Sequence, residues 1–84
     1  MNNKIKLIDV DASVFFSNTL GRYTISYNGS GGAIISDDNL SKCKKMFEEA
    51  MELAIVYKSI EDFQKGKSLT KINSFNYSTI KHVN

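Results

Sequence analysis

The stretch "YNGSGGAIISDDNLSKCKKMF", Tyr27 to Phe47, carries two glycine-rich steps, a short apolar run, an acidic pair and a basic cluster. Two readings compete for it: a loop that cradles a phosphate, or a turn followed by a strand and a helix. A phosphate loop needs glycines leading from a strand directly into a helix N-terminus, with a lysine that reaches the phosphates. Here the glycines of "NGSGG" lead into "GAIIS", Gly32 to Ser36, whose branched apolar side chains read as a strand. The stretch therefore turns the chain. Asn28 and Gly29 form a hairpin signal, because both residues accept positive φ. Gly31 or Gly32 marks a bulge or a close approach to a helix.

Working back from the turn, "RYTISY", Arg22 to Tyr27, puts Tyr23, Ile25 and Tyr27 on one face and Arg22, Thr24 and Ser26 on the other. That period of two is a half-buried strand, paired antiparallel with "GAIIS". "KIKLIDV", Lys4 to Val10, reads as a further strand. "SVFF", Ser13 to Phe16, either extends it beyond a bend at Asp11 or begins another; both readings stay open.

Working forward, Leu40, Cys43, Phe47, Ala50, Ala54 and Tyr57 recur at helical spacing, with Met46, Leu53 and Ile60 alongside. The spacing predicts an amphipathic helix from about Asn39 to Lys65, capped by Asp37, Asp38 or Asn39 and stopped at Gly66. Such a helix runs ~40 Å, longer than a strand of average length. "SIED", Ser59 to Asp62, resembles a second capping signal, so a break near Lys58 is expected. "TKINSFNYSTI", Thr70 to Ile80, puts Phe75, Tyr77 and Thr79 on one face, as a fourth strand or a loose tail. The fold class is α+β: one domain over residues 1–84, a small antiparallel sheet of three or four strands under one long helix.

Chemistry is sparse. The 84 residues contain one cysteine, one histidine and no proline. That inventory makes no internal disulfide and no zinc site, and no metal or cofactor is expected. His82 lies near the chain end, and Cys43 lies on the apolar stripe as a small core residue. Asp37 and Asp38 read as helix caps, with no third ligand at a matching spacing. No catalytic constellation emerges, so the chain is expected not to be an enzyme. No apolar run reaches the ~18 residues of a membrane span. The N-terminal segment is interrupted by Lys6, Asp9 and Asp11 and lacks a signal-peptide core. The expectation is a protein of the cytoplasm of a bacterial host, with no membrane partner.

Charge points to a binding role. The formal net charge is +2, but residues 36–66 carry five lysines against seven acids, and residues 67–84 carry Lys67, Lys71 and Lys81 unopposed. Glu48, Glu49 and Glu52, with Asp62, form an acidic helix side that suits a basic, nucleic-acid-processing protein partner. Tyr23 and Tyr27 are candidate contact anchors. An exposed strand edge offers a route to a homodimer. Direct nucleic-acid binding would use Arg22, Lys67, Lys71 and Lys81.

The segment "GGAIISDDNLSKCKKMFEEAMELA" resembles the N-terminal domain of HicB-like antitoxins. In that family a short third strand leads through a glycine, an acidic or hydroxyl cap and a leucine into a helix with "EEA" followed by aliphatics. The matching positions are Gly32, Asp38, Leu40, Phe47, Glu48, Glu49, Ala50 and Leu53, within about a third of the chain. The segment from Asp11 to Gly21 departs from the family's short hairpin. No DNA-binding segment follows within these residues, so autorepression is not carried over. The resemblance implies a non-catalytic domain that masks a small basic RNA-cleaving toxin. The residues alone suit equally a stand-alone inhibitor of a host nuclease system, encoded by a phage or mobile element, anti-CRISPR proteins included.

Overall fold

The computed structural model describes residues 4–27 and 34–84. The elements run β1 (Ile5–Ser17), β2 (Arg22–Tyr27), β3 (Ile34–Asp37), α1 (Leu40–Gln64) and β4 (Leu69–Val83). The four strands form one sheet in the order β3-β2-β1-β4, and α1 lies across one face. This is a two-layer α+β fold. The turn expected at Asn28 and Gly29, and the packing role of Gly31 or Gly32, lie outside the described residues.

Strand β1 runs unbroken through Asp11, so "SVFF" continues it. Its even-numbered side chains Val10, Ala12 and Val14 are buried beneath the helix, and the odd-numbered Ile5, Leu7, Asp9 and Asp11 are exposed on the opposite face. The chain then turns at Asn18–Gly21. Gly21 adopts φ +65° and donates its N–H to Ser17 O at 2.8 Å, a backbone state glycine enters without a Cβ penalty. Strand β2 returns antiparallel with Val14 opposite Ile25, and β3 pairs antiparallel with β2, with Ile25 opposite Ile35.

The sheet is mixed, which corrects the expected antiparallel arrangement. Two reversals leave β3 pointing along β1; α1 carries the chain back, and β4 therefore pairs parallel to β1 at the far edge. The element after the helix is thus a full strand of 15 residues, paired with β1 from Ile5–Leu69 to Ser17–Val83. Two irregularities interrupt the pairing: Asn73 is extra opposite Ile8–Asp9, and Ser78 and Thr79 fall between the partners of Ala12 and Val14. At the second, Val14 donates its N–H to Ser78 Oγ at 2.9 Å, so the displaced backbone donor stays satisfied.

No break occurs near Lys58: α1 is one helix of 25 residues, about 37 Å long at 1.5 Å per residue. The expected break assumed strands of five or six residues. Instead β1 and β4, at 13 and 15 residues, are longer than the helix, which gives the molecule extents of 53 × 20 × 18 Å. Ser59, read as a capping signal, is buried and accepts the Thr70 N–H at 3.0 Å, tying the helix to the start of β4. Asn39 is the N-cap: its side chain accepts the Lys42 N–H at 3.1 Å, and Asp37 Oδ1 in turn accepts the Asn39 N–H at 2.9 Å. At the other end Gly66 (φ +76°) donates to Phe63 O and Lys67 donates to Asp62 O, the paired bonds of a Schellman motif.

The buried line of α1 is Cys43, Phe47 and Met51, continuing through half-buried Ile55 to Ser59. Each step of four residues advances the line ~40° around the helix axis, as suits a straight helix crossing a twisted sheet from β3 to β4. The expected stripe fails after Phe47: Ala54 and Tyr57, with Met46, Leu53 and Ile60, face outward. Phe47 is the centre of the core, with its ring edge-on to Phe75 at 6.1 Å and to Tyr77 at 6.3 Å.

Candidate protein-binding surfaces

Two surfaces are left over once the core is built. The first is the sheet face away from α1. Among the described residues no element covers it, because the single helix occupies the other face. Along β1 this face carries the exposed Ile5, Leu7, Asp9 and Asp11, followed by buried Ser13 and half-buried Phe15. The two aspartates are held in place by β4. Asn73 Nδ2 donates to Asp9 Oδ1 at 3.0 Å, Ser74 Oγ donates to the same oxygen at 2.8 Å, and Asn76 Nδ2 donates to Asp11 Oδ1 at 3.2 Å. The hydrogen bond from Asn73, then that from Ser74, holds the Asp9 carboxyl below the usual carboxylate range. The β4 irregularity at Asn73 brings both donors to one carboxylate. Fixed carboxylates beside the exposed apolar side chains of Ile5 and Leu7 form a surface that can take a basic, partly apolar ligand.

The basic residues singled out in the sequence flank these acids. Lys71 pairs with Leu7 at one end of the open face. Lys81, 5.5 Å above the Phe15 ring, and Arg22, opposite Ser17, sit at the other. Lys67 lies in the turn after α1. Lys71 and Lys81 are ten residues apart on one strand, ~33 Å at the usual rise. A phosphate chain bridging them would cross Asp9 and Asp11, so the four cations make no continuous track.

The second surface is the outer side of α1. Its first half is mainly polar: Lys42, Lys45, Glu49 and Glu52 are all exposed, with Met46 among them. Its second half is apolar: Leu53, Val56, Tyr57, Ile60 and Phe63 are each half or more exposed. Glu49, Glu52, Leu53 and Val56 line a shallow groove there, and Glu52, Ile55 and Val56 line another with Ile72 of β4.

The residues expected to make one acidic partner site are divided among different settings. Glu48 turns toward the sheet and accepts the Tyr77 hydroxyl, while Lys44 sits 4.8 Å above the Tyr77 ring. Burial, reinforced by the Glu48 hydrogen bond, pushes the Tyr77 phenol well above its ordinary value. Asp62 lies 3.9 Å from Lys58 one turn back. Tyr23 and Tyr27 pack against the core under the helix, and the Tyr23 ring meets that of Phe16 tilted at 54°, with centroids 4.8 Å apart. Only Glu49 and Glu52 stand free of the sheet on the outer side.

Cys43 is buried, with Sγ 3.6 Å from Tyr23 O and 3.5 Å from Ile35 O. Burial, with the nearby Asp37 charge, raises its thiol. Asp37 is itself held low by the Asn39 N–H and then by Asp38. His82 pairs with Phe16 in register and meets its ring edge-on at 5.7 Å. Among the described residues no three His, Cys, Asp or Glu side chains converge as a metal site, and no helix is long and apolar enough to cross a membrane.

Sequence reading missed the sheet-face pair, counting Asp9 and Asp11 only as charge. The signal was present: Asp-Val-Asp in β1 and Ser-Phe-Asn in β4 both alternate polar and apolar, but nothing local says the two strands are neighbours.

The class these features define is a two-layer α+β module with a mixed 3-2-1-4 sheet and one sheet face that no described element covers. No protein-family model, curated protein or solved structure matches the chain.

Proposed function

We propose that this chain is a non-catalytic protein-binding module that docks on and masks a basic, nucleic-acid-processing partner through the open face of its sheet, in the manner of an antitoxin. The observation that carries the proposal is Asp9 and Asp11, oriented by Asn73, Ser74 and Asn76 beside exposed Ile5 and Leu7. Carboxylates fixed before binding lose little freedom on meeting a lysine or arginine, and adjacent apolar side chains add buried area. The resemblance to HicB-like antitoxin domains supports the same reading: a short third strand, β3, leads through Asp38 and Leu40 into a helix bearing Glu48, Glu49 and Ala50. A phage-borne or mobile-element inhibitor of a host nuclease uses the same chemistry, and the identity of the partner separates the two.

The test is capture with the tagged chain from a bacterial lysate, followed by mass spectrometry and a cleavage assay on the captured protein. The expected result is a basic nuclease whose cleavage the wild-type chain suppresses. A captured partner that is acidic, or whose cleavage is unaffected, overturns the proposal.

A further inference from the structure

The outer stripe of α1 has a repeat of its own. Leu53, Val56, Ile60 and Phe63 step by three, four and three, the spacing of a helix-pairing seam, with Tyr57 at its flank. All five are half or more exposed: Leu53 and Tyr57 point away from the sheet, and the stripe runs along the flank of α1 to Phe63, one turn past Ser59. Together they leave on the order of 500 Å² of apolar surface in water, at the upper end of what a typical monomer shows in one patch.

We propose that this stripe is covered by the same stripe of a second copy of the chain, with the two helices antiparallel about a twofold axis level with Lys58. Three observations select this occupant. The stripe is symmetric about that level, so antiparallel pairing sets Leu53 opposite Phe63 and Val56 opposite Ile60 in both directions, as a twofold interface requires. The register adds one charge match: the axis sets Glu49 of each copy level with Lys67 of the other, just past the end of α1. A parallel pair would set Glu49 against Glu49 in the seam and Glu52 beside Glu52. A basic foreign partner gains less, because Lys42 and Lys45 sit on the same outer line and cancel those acids.

The area sets the strength. Two such patches bury roughly 1,000 Å² of apolar surface, near the lower limit for a specific interface, so the dimer is expected to dissociate in the micromolar range. The β4 edge is the weaker route to self-association, since its two irregularities and the charges of Lys71 and Lys81 break up a flat edge. The open sheet faces lie on the side away from α1, so helix-to-helix pairing leaves both free and stands or falls independently of the proposed function.

The experiment is sedimentation velocity on the full chain over a dilution series. At ~100 µM the wild type is expected to show twice the 9.4 kDa chain mass, falling to the single mass on dilution. Ile60→Glu, with its fold checked by circular dichroism, should be monomeric throughout. Glu49→Lys should weaken the dimer, as should Lys67→Glu, and combining the two should restore it. Disulfide trapping gives a second readout: mixed Val56→Cys and Ile60→Cys chains should cross-link to each other more than to themselves. A monomeric wild type at ~100 µM, a dimer that survives Ile60→Glu, or preferred self-linking of Val56→Cys would each overturn the proposal.

Discussion

Exchanging Met51 and Leu53 for alanine, one at a time, separates the two apolar stripes of α1. Met51 is 4% exposed and Leu53 61% exposed, though they lie two residues apart and the sequence grouped Leu53 with the core. Truncating a buried methionine removes its transfer free energy and leaves a cavity, at a cost of about 2–5 kcal/mol. Leu53→Ala gives up packing that is largely absent in the monomer and places the best helix former at an exposed position, so its effect should stay within about 0.5 kcal/mol. A chain of this size is expected to hold about 4–13 kcal/mol of total stability, so the first change is a large fraction of it. Urea unfolding followed by helical circular dichroism at sub-micromolar concentration, below the micromolar range in which the proposed dimer dissociates, measures both on the monomer. At a slope of ~1 kcal/mol per molar, Met51→Ala should lower the midpoint by roughly 2 M or more and Leu53→Ala by under ~0.5 M. Equal shifts, or a larger one for Leu53→Ala, would refute the assignment of the buried line.

Three further outcomes follow from local geometry. Gly66→Ala places a Cβ at φ +76° and should cost about 1–2 kcal/mol, read as a lower thermal midpoint; the cost is local backbone strain, since no atom beyond the neighbouring residues lies within 4 Å of that Cβ. Asp9 and Asp37 both have folded-state values held below normal by hydrogen bonds. Their contribution is therefore present above the unfolded carboxyl value near ~4 and is lost as pH falls through the lower folded values; Asp37→Asn should flatten the acid limb of a stability–pH curve. Cys43, buried and with its thiol raised, should resist a thiol reagent at neutral pH until urea unfolds the chain; rapid labelling of the folded protein would contradict its placement.

The stretch from β3 into α1 was legible because each signal is local: branched residues for the strand, a cap among Asp37, Asp38 and Asn39, which proves to be Asn39, and Gly66 as a stop. The β2 alternation was equally plain, and Ile25 lies at the core as its position in the pattern requires. What escaped depended on partners distant in sequence. The parallel register of β1 with β4 joins residues more than 60 positions apart, and its irregularities appear only when Asn73 and Ser78 are seen against β1. The helix misled for a related reason. It carries two apolar lines, Cys43–Phe47–Met51 and Leu53–Val56–Ile60–Phe63, and periodicity reports that a line exists without saying which one the sheet covers. Of the candidate site, the helix glutamates were found from charge alone, whereas Asp9 and Asp11 became a surface only through their β4 donors.

The most direct test compares two charge reversals in one capture experiment: Asp9→Lys with Asp11→Lys on the sheet, and Glu49→Lys with Glu52→Lys on the helix. Quantitative mass spectrometry of the retained basic partner is expected to show loss of at least ~10-fold for the sheet variant, corresponding to about 1.4 kcal/mol, and retention by the helix variant. Undiminished retention by the sheet variant would contradict the account.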